Sequence, residues 1–231
     1  MTRYSKPRGQ IFSAEKGLFL LLVILSAFSL AMLAARIFVS GRITYAFMVW
    51  NLILAWMPLL FAIAATLGRR RSLVVLSFGS LWLLFLPNAP YLITDLIHLR
   101  PVGAIPTWYD AIMFFSFALS GLLLGLHSLS LMQGIVEKRW GLFTGWLFVV
   151  VAAVLSSFGI YVGRFLRWNS WDVFVNPFRL STDILASLST PFALFKALVV
   201  VSLFSAVTIG AYLFWHGRGG LVLKGGEISS S

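Results

Sequence analysis

The feature that most constrains this chain is the length of its apolar runs. Six segments, at about 17–39, 45–67, 72–86, 109–132, 142–162 and 191–215, are almost free of charge. A helix that crosses a bilayer needs about 20 such residues. In lipid every backbone polar group must be satisfied within the protein, so such runs form helices. The expected fold is all-α: a bundle of six transmembrane helices plus a short interfacial helix. The first run follows a basic N-terminus and resembles a signal peptide in that respect. It is too long for a signal core of about 7–15 residues and reads as a retained helix. The expected organisation is a basic N-terminus at 1–16, a membrane domain at 17–216 and a flexible glycine- and serine-rich tail at 217–231.

The chain is 60% hydrophobic and 11% charged, against about a quarter charged in soluble domains. Its formal net charge of +11 would suggest nucleic acid on a soluble protein. No nucleic-acid module is visible, so no nucleic-acid partner is expected and the bilayer is the natural one. Basic residues collect on the cytoplasmic side of membrane proteins. With six spans, the side of both termini carries 11 Lys and Arg and the other side 7. The expected location is the cell (inner) membrane, multi-pass, with both termini cytoplasmic. Cysteine is absent, which excludes disulfides and thiolate chemistry.

Local signals mark the element boundaries. Gly68-Arg69-Arg70-Arg71 stops the second run, and Glu137-Lys138-Arg139 reads as a polar turn after the fourth. Asn176-Pro177 has the pattern of an N-cap followed by proline at the first helical position. Residues 178–189 then form an amphipathic helix at the interface, with Ile184, Leu185 and Leu188 on one side. Thr190-Pro191 repeats the pattern, and Lys196 is placed to snorkel. Glycines spaced four apart at 121/125, 141/145 and 159/163 allow close helix packing. Helices one, four and six show little polar character, which weakens any path across the membrane.

Two polar stretches interrupt this pattern on the same side. LPNAPYLITDLIHL at 86–99 carries two prolines, and the residues before them, Leu86 and Ala89, should leave the α region. The third helix should break there, with Asn88 satisfying some freed carbonyls. If helix resumes, Tyr91, Asp95 and His98 share a face. GRFLRWNSWD at 163–172 carries Arg164, Arg167, Trp168, Asn169, Trp171 and Asp172. Both stretches resemble the hallmark segments of a prokaryotic family of small polytopic membrane proteins, a domain of unknown function. The resemblance implies an integral membrane protein over nearly the whole chain and supplies no activity, cofactor or substrate.

Each motif has a plain reading and a functional one. The break is a capped helix end, or a discontinuous helix lining a polar cavity. Asp95 and His98 are a hydrogen-bonded interfacial pair, or an orienting carboxylate and a general base, which makes them the catalytic candidates. They supply two ligands where catalytic zinc takes three, so no metal site is assigned. Arg164 and Arg167 pair with Asp95 or Asp172, or they clamp a phosphate or other anion. Trp168 and Trp171 belong to an aromatic belt, or stack on a ring. Asn88, Tyr91, Arg164, Arg167, Trp168, Asn169, Trp171 and Asp172 are the ligand-binding candidates, for an anionic lipid or solute. The expected function is binding of an anionic or lipid-linked ligand at an extracytoplasmic polar mouth. A solute transporter or channel, and an enzyme on a lipid-linked or phosphorylated substrate, are the alternatives.

Overall fold

The computed structural model describes residues 8–101 and 105–224, and the side-chain surroundings of 16–101 and 105–217. Among them the elements run α1 (Arg8–Ser40), α2 (Phe47–Leu67), α3 (Ser72–Phe85), α4 (Asn88–Thr94), a 3₁₀ turn (Asp95–His98), α5 (Thr107–Trp140), α6 (Leu142–Phe165), α7 (Asp172–Val175), α8 (Pro177–Leu188) and α9 (Pro191–Lys224). No strand occurs among the described residues. Six stretches are long and apolar enough to cross a membrane: Lys16–Ser40, Phe47–Leu67, Ser72–His98, Thr107–Trp140, Leu142–Phe165 and Pro191–Gly217. The protein is an all-α, multi-pass membrane protein with six transmembrane segments, the third of them broken. α8 is the short amphipathic helix expected after Asn176-Pro177, although the Asn176 side chain makes no capping bond. Thr190 does cap α9, accepting from the Ala193 N–H at 3.3 Å.

Three boundaries differ from the sequence expectation. Glu137-Lys138-Arg139 is not a turn. These good helix formers extend α5 to Trp140, and Gln133 Nε2 donates to Glu137 Oε1 at 2.7 Å. The reversal falls at Gly141, whose φ of 88° suits a residue without a side chain. α1 starts at Arg8 and α9 continues to Lys224, past the expected helix limits at 17 and 215. No proline interrupts either stretch, and a glycine weakens a helix by only about 1 kcal/mol. Of the expected tail, residues 225–231 lie outside the described residues, as do Arg3 and Lys6 of the basic N-terminus and Gly103 of the loop before α5.

α5 is the central element. It packs against α1, α2, α4, α6 and α9, and its span is the most buried of the six. Helices one and four, expected to show little polar character, bury more of it than that expectation allowed. α5 buries Asp110, Ser116, Ser120, His127, Ser128 and Gln133, and α1 buries Ser26, Ser29 and Arg36. A buried polar group needs a partner, and several of these bond sideways to neighbouring helices, while Ser116 bonds to the Met113 carbonyl of its own helix. Trp56 Nε1 donates to Ser26 Oγ at 3.1 Å, Trp82 Nε1 donates to Ser128 Oγ at 3.1 Å, and Ser29 pairs with Ser120 at 3.3 Å. The Tyr212 hydroxyl of α9 donates to Gln133 Oε1.

The glycine pairs seat the broken segment. A Cβ at Gly121 would collide with the Ala89 carbonyl, and one at Gly125 would stand 3.1 Å from the Ala89 Cβ. A Cβ at Gly159 would collide with the Pro87 ring, and one at Gly163 would stand 3.2 Å from the Tyr91 ring. The i, i+4 spacing puts each pair on one helix face. α5 and α6 thus each present a small-residue groove to residues 87–91.

Candidate functional site

The break in the third span covers Leu86 and Pro87. Pro87 and Pro90 have no N–H, so the carbonyls of Leu83 and Leu86 lose their helical donors. Leu86 itself stays in the α region (φ −51°, ψ −39°), against the expectation for a residue before proline. Ala89 also lies inside helix, within the first turn of α4, where a following proline is tolerated. The interruption is short, and one of the freed carbonyls, that of Leu86, finds a new donor. The Ala89 N–H donates to Leu86 O at 3.2 Å. Asn88 Nδ2 donates to Phe85 O at 2.9 Å, as its position in the motif suggests, and also to Ser170 Oγ at 2.9 Å. That second bond ties the break to the loop after α6.

Beyond the break the helix tightens through Asp95–His98 and presents Tyr91, Asp95 and His98 to one side chain, Arg164. Arg164 Nη2 stands 2.5 Å from Asp95 Oδ1. Its Nε donates to Thr94 Oγ1 at 2.9 Å, its Nη1 lies 3.2 Å from His98 Nε2, and its Cζ sits 4.4 Å above the Tyr91 ring. A guanidinium has donors only, so His98 Nε2 accepts, which leaves the ring proton on Nδ1. Asp95 is 1% exposed and takes a second bond at Oδ2 from Asn51 Nδ2 of α2 at 2.8 Å. Asp95 and His98 are thus joined through Arg164. Thr94 and Asn51 complete the arrangement and were not among the sequence candidates. Asn51 carries the usual signal, an amide inside an apolar run.

The second polar stretch folds into the roof of the same region. α6 ends at Phe165, and Arg167 takes a left-handed backbone (φ 61°) that reverses the chain. That conformation costs a residue with a side chain about 1–2 kcal/mol. Asp172 Oδ2 accepts from the backbone N–H of Asn169 at 2.6 Å and from its Nδ2 at 3.2 Å, closing a tight turn. The alternative pairing of Asp172 with Arg167 is not made. Arg167 is exposed, and no ion pair engages it among the described residues. Trp168 Nε1 donates to Asp183 Oδ2 of α8 at 3.2 Å, and Trp171 meets Trp50 of α2 edge to face at 6.0 Å.

These elements enclose a cavity of about 740 Å³. Its polar side carries Asn51, Asn88, Tyr91, His98, Arg164 and Arg167, with Trp50, Trp168, Asn169 and Ser170 beside them. Its apolar lining includes Leu54 of α2, Leu83 and Leu84 of α3, and Leu155 and Phe158 of α6. Val173, Leu180 and Ile184 of α7 and α8 also line it. Of the sequence candidates, Asn88, Tyr91, His98, Arg164, Arg167, Trp168 and Asn169 line the cavity. Asp95 lies behind Arg164, and Trp171 and Asp172 hold the loop.

A second ion pair was not foreseen. Arg36 of α1 and Asp110 of α5, each 1% exposed by side chain, meet through Nε–Oδ1 at 2.6 Å and Nη2–Oδ2 at 3.0 Å. Arg36 Cζ lies 4.4 Å over the Tyr45 ring. The Tyr45 hydroxyl reaches the His98 carbonyl at 3.4 Å, so the two pairs stand side by side at one end of the bundle. Burial, then the charge of Asp110, pushes the Tyr45 phenol above its ordinary pKa. The available signal was an arginine inside an apolar run, since such charges pair or face a wet cavity.

Six apolar spans, one of them broken beside a cavity with polar and apolar walls, define a polytopic all-α membrane protein. Within that class, the chain belongs to the family described as "Protein of unknown function (DUF1361)", whose model matches residues 50–209. The matched region includes both polar stretches. No curated protein and no solved structure matches the chain.

Proposed function

We propose that this protein binds the head of an anionic, lipid-linked ligand at the extracytoplasmic face of the cell (inner) membrane, with both its termini cytoplasmic. One observation carries the reading: a cavity of about 740 Å³ is lined both by Arg167, which has no ion-pair partner among the described residues, and by leucine and phenylalanine. Small-molecule sites are concave, largely apolar and oriented by a few polar groups. An arginine fork at the mouth suits a phosphate or carboxylate, and the apolar wall suits a chain. Arg164 serves differently, because Asp95 already balances its charge. It holds Tyr91, Thr94 and His98 in place as a positioning residue.

The alternatives find less support. A general base needs a free lone pair facing its substrate, and His98 Nε2 is taken up by Arg164. Permeation needs a polar route onward, and Leu54, Leu83, Leu84, Leu155 and Phe158 make much of the cavity lining apolar. The orientation rests on the 11 to 7 distribution of Lys and Arg.

The test is native mass spectrometry of the full chain released from detergent, with Arg167→Gln beside it. Retention of a defined anionic lipid by the parent, falling at least tenfold in the variant, supports the reading. Equal retention by both proteins would overturn it.

A further inference from the structure

The polar wall of the cavity also constrains the chemistry of the ligand, if it is a binding site as proposed above. Two amides are turned so that their oxygens remain available. Asn51 Nδ2 donates to the Asp95 carboxylate, and Asn88 Nδ2 donates to the Phe85 carbonyl. Neither of those partners can donate a hydrogen bond back, so both amide orientations are set by chemistry. Among the described residues, neither amide oxygen has a partner, and neither is among the sealed, unsatisfied atoms of the interior. Both side chains line the cavity. An unpaired carbonyl oxygen accepts hydrogen bonds and repels an anionic oxygen. These oxygens therefore call for hydroxyl or amino donors on the ligand. Trp50 and Trp168 supply flat apolar faces in the same wall, which suit the carbon skeleton of a polyol or sugar.

Charge narrows the class further. Among the described residues, the charged side chains lining the cavity are Arg164 and Arg167, and no carboxylate lines it. Asp95 neutralises Arg164 from behind, so one positive charge is left for the ligand. Charges of both signs lie around the roof, namely Asp172, bonded to Asn169, Asp183, bonded to Trp168, Arg179 of α8, and Lys196, 4.1 Å from the Phe165 ring, and none of these four lines the cavity. A second negative charge on the ligand would find no second unpaired cation in the lining. A primary amine would place a cation beside Arg167.

We propose that the ligand is a singly charged phosphodiester lipid with a hydroxylated headgroup, of the glycerol- or sugar-phosphate kind. Its phosphate lies on Arg167, its hydroxyls donate to Asn51 and Asn88, and its chain follows Leu83, Leu155 and Phe158. Phosphomonoester, bisphosphate and zwitterionic headgroups fit less well for the reasons of charge just given.

The full chain in nanodiscs, titrated with lipids of matched acyl chains and read by native mass spectrometry, tests this. Phosphatidylglycerol should be retained at least tenfold over phosphatidylethanol, which has the same charge but no hydroxyl. It should exceed phosphatidic acid and phosphatidylethanolamine by a similar factor. Arg167→Gln should abolish the discrimination against phosphatidylethanolamine. Equal retention of phosphatidylglycerol and phosphatidylethanol would overturn the hydroxyl assignment. Preference for phosphatidic acid would overturn the single-charge assignment and leave the anionic-ligand reading standing. Competition by soluble glycerophosphoglycerol with the affinity of the lipid would overturn the assignment to a lipid. Retention of none of these lipids would end the underlying reading as well.

Discussion

Arg164 Nη2 and Asp95 Oδ1 meet at 2.5 Å across 69 residues of chain. The carboxylate is 1% exposed by side chain and the guanidinium 12%. The pair joins α6 to the resumed part of the third span, and Asn51 extends it to α2. It makes the contact between the two polar stretches specific rather than merely apolar.

Removing one partner leaves the other buried and uncompensated, which costs about 3–5 kcal/mol. Asp95→Asn and Arg164→Gln should each lower the thermal midpoint in detergent, followed by size exclusion after heating. The double variant should recover part of the loss. Strictly additive losses would mean that the two groups are not energetically coupled.

Arg36 and Asp110 are buried still more completely. One guanidinium nitrogen of Arg36, Nη1, has no hydrogen-bond partner. That loss weakens the pair relative to a well-packed apolar replacement. Asp110→Leu alone should therefore destabilise by about 3–5 kcal/mol, whereas Arg36→Met with Asp110→Leu should match or exceed the parent. A double variant less stable than either single one would refute this account.

Packing at the break gives a third expectation. Gly159→Ala and Gly121→Ala drive a methyl group into Pro87 and the Ala89 carbonyl, and overpacking of this kind costs about 1–3 kcal/mol. Gly134 lies on α5 with open space around its Cβ position. Gly134→Ala should gain about 0.5–1 kcal/mol from helix propensity. The contrast is measurable by the same heating assay, and loss of equal size at all three sites would contradict it.

Orientation is testable because the protein has no cysteine. Ser170 lies at the cavity, and Ser72 lies at the other end of the third span, bonded to Arg139. In whole cells, an impermeant thiol reagent should label Ser170→Cys and spare Ser72→Cys. The opposite pattern would reverse the proposed topology.

The sequence alone determined the membrane class, the six spans, the break near Pro87 and the two polar stretches. Each is local. Hydropathy over about 20 residues specifies a span, a missing N–H specifies a break, and glycine spacing specifies a packing face. Even the pairing of Asp95 with Arg164 follows from the cost of an unpaired charge near lipid, once both ends are placed on one face. What lay beyond reach depends on which helices are neighbours. Arg36 could be placed in an apolar run, but only the packing of α1 against α5 brings it to Asp110. Thr94 looks ordinary, and Asn51 is an amide in an apolar run without a role, until α2, α4 and α6 converge on one carboxylate and one guanidinium. The Glu137-Lys138-Arg139 segment misled because its charge suggested a loop, whereas helix propensity carried α5 on to Gly141. The cavity itself is set by the separation of helices far apart in the chain, a quantity that no local pattern of residues encodes.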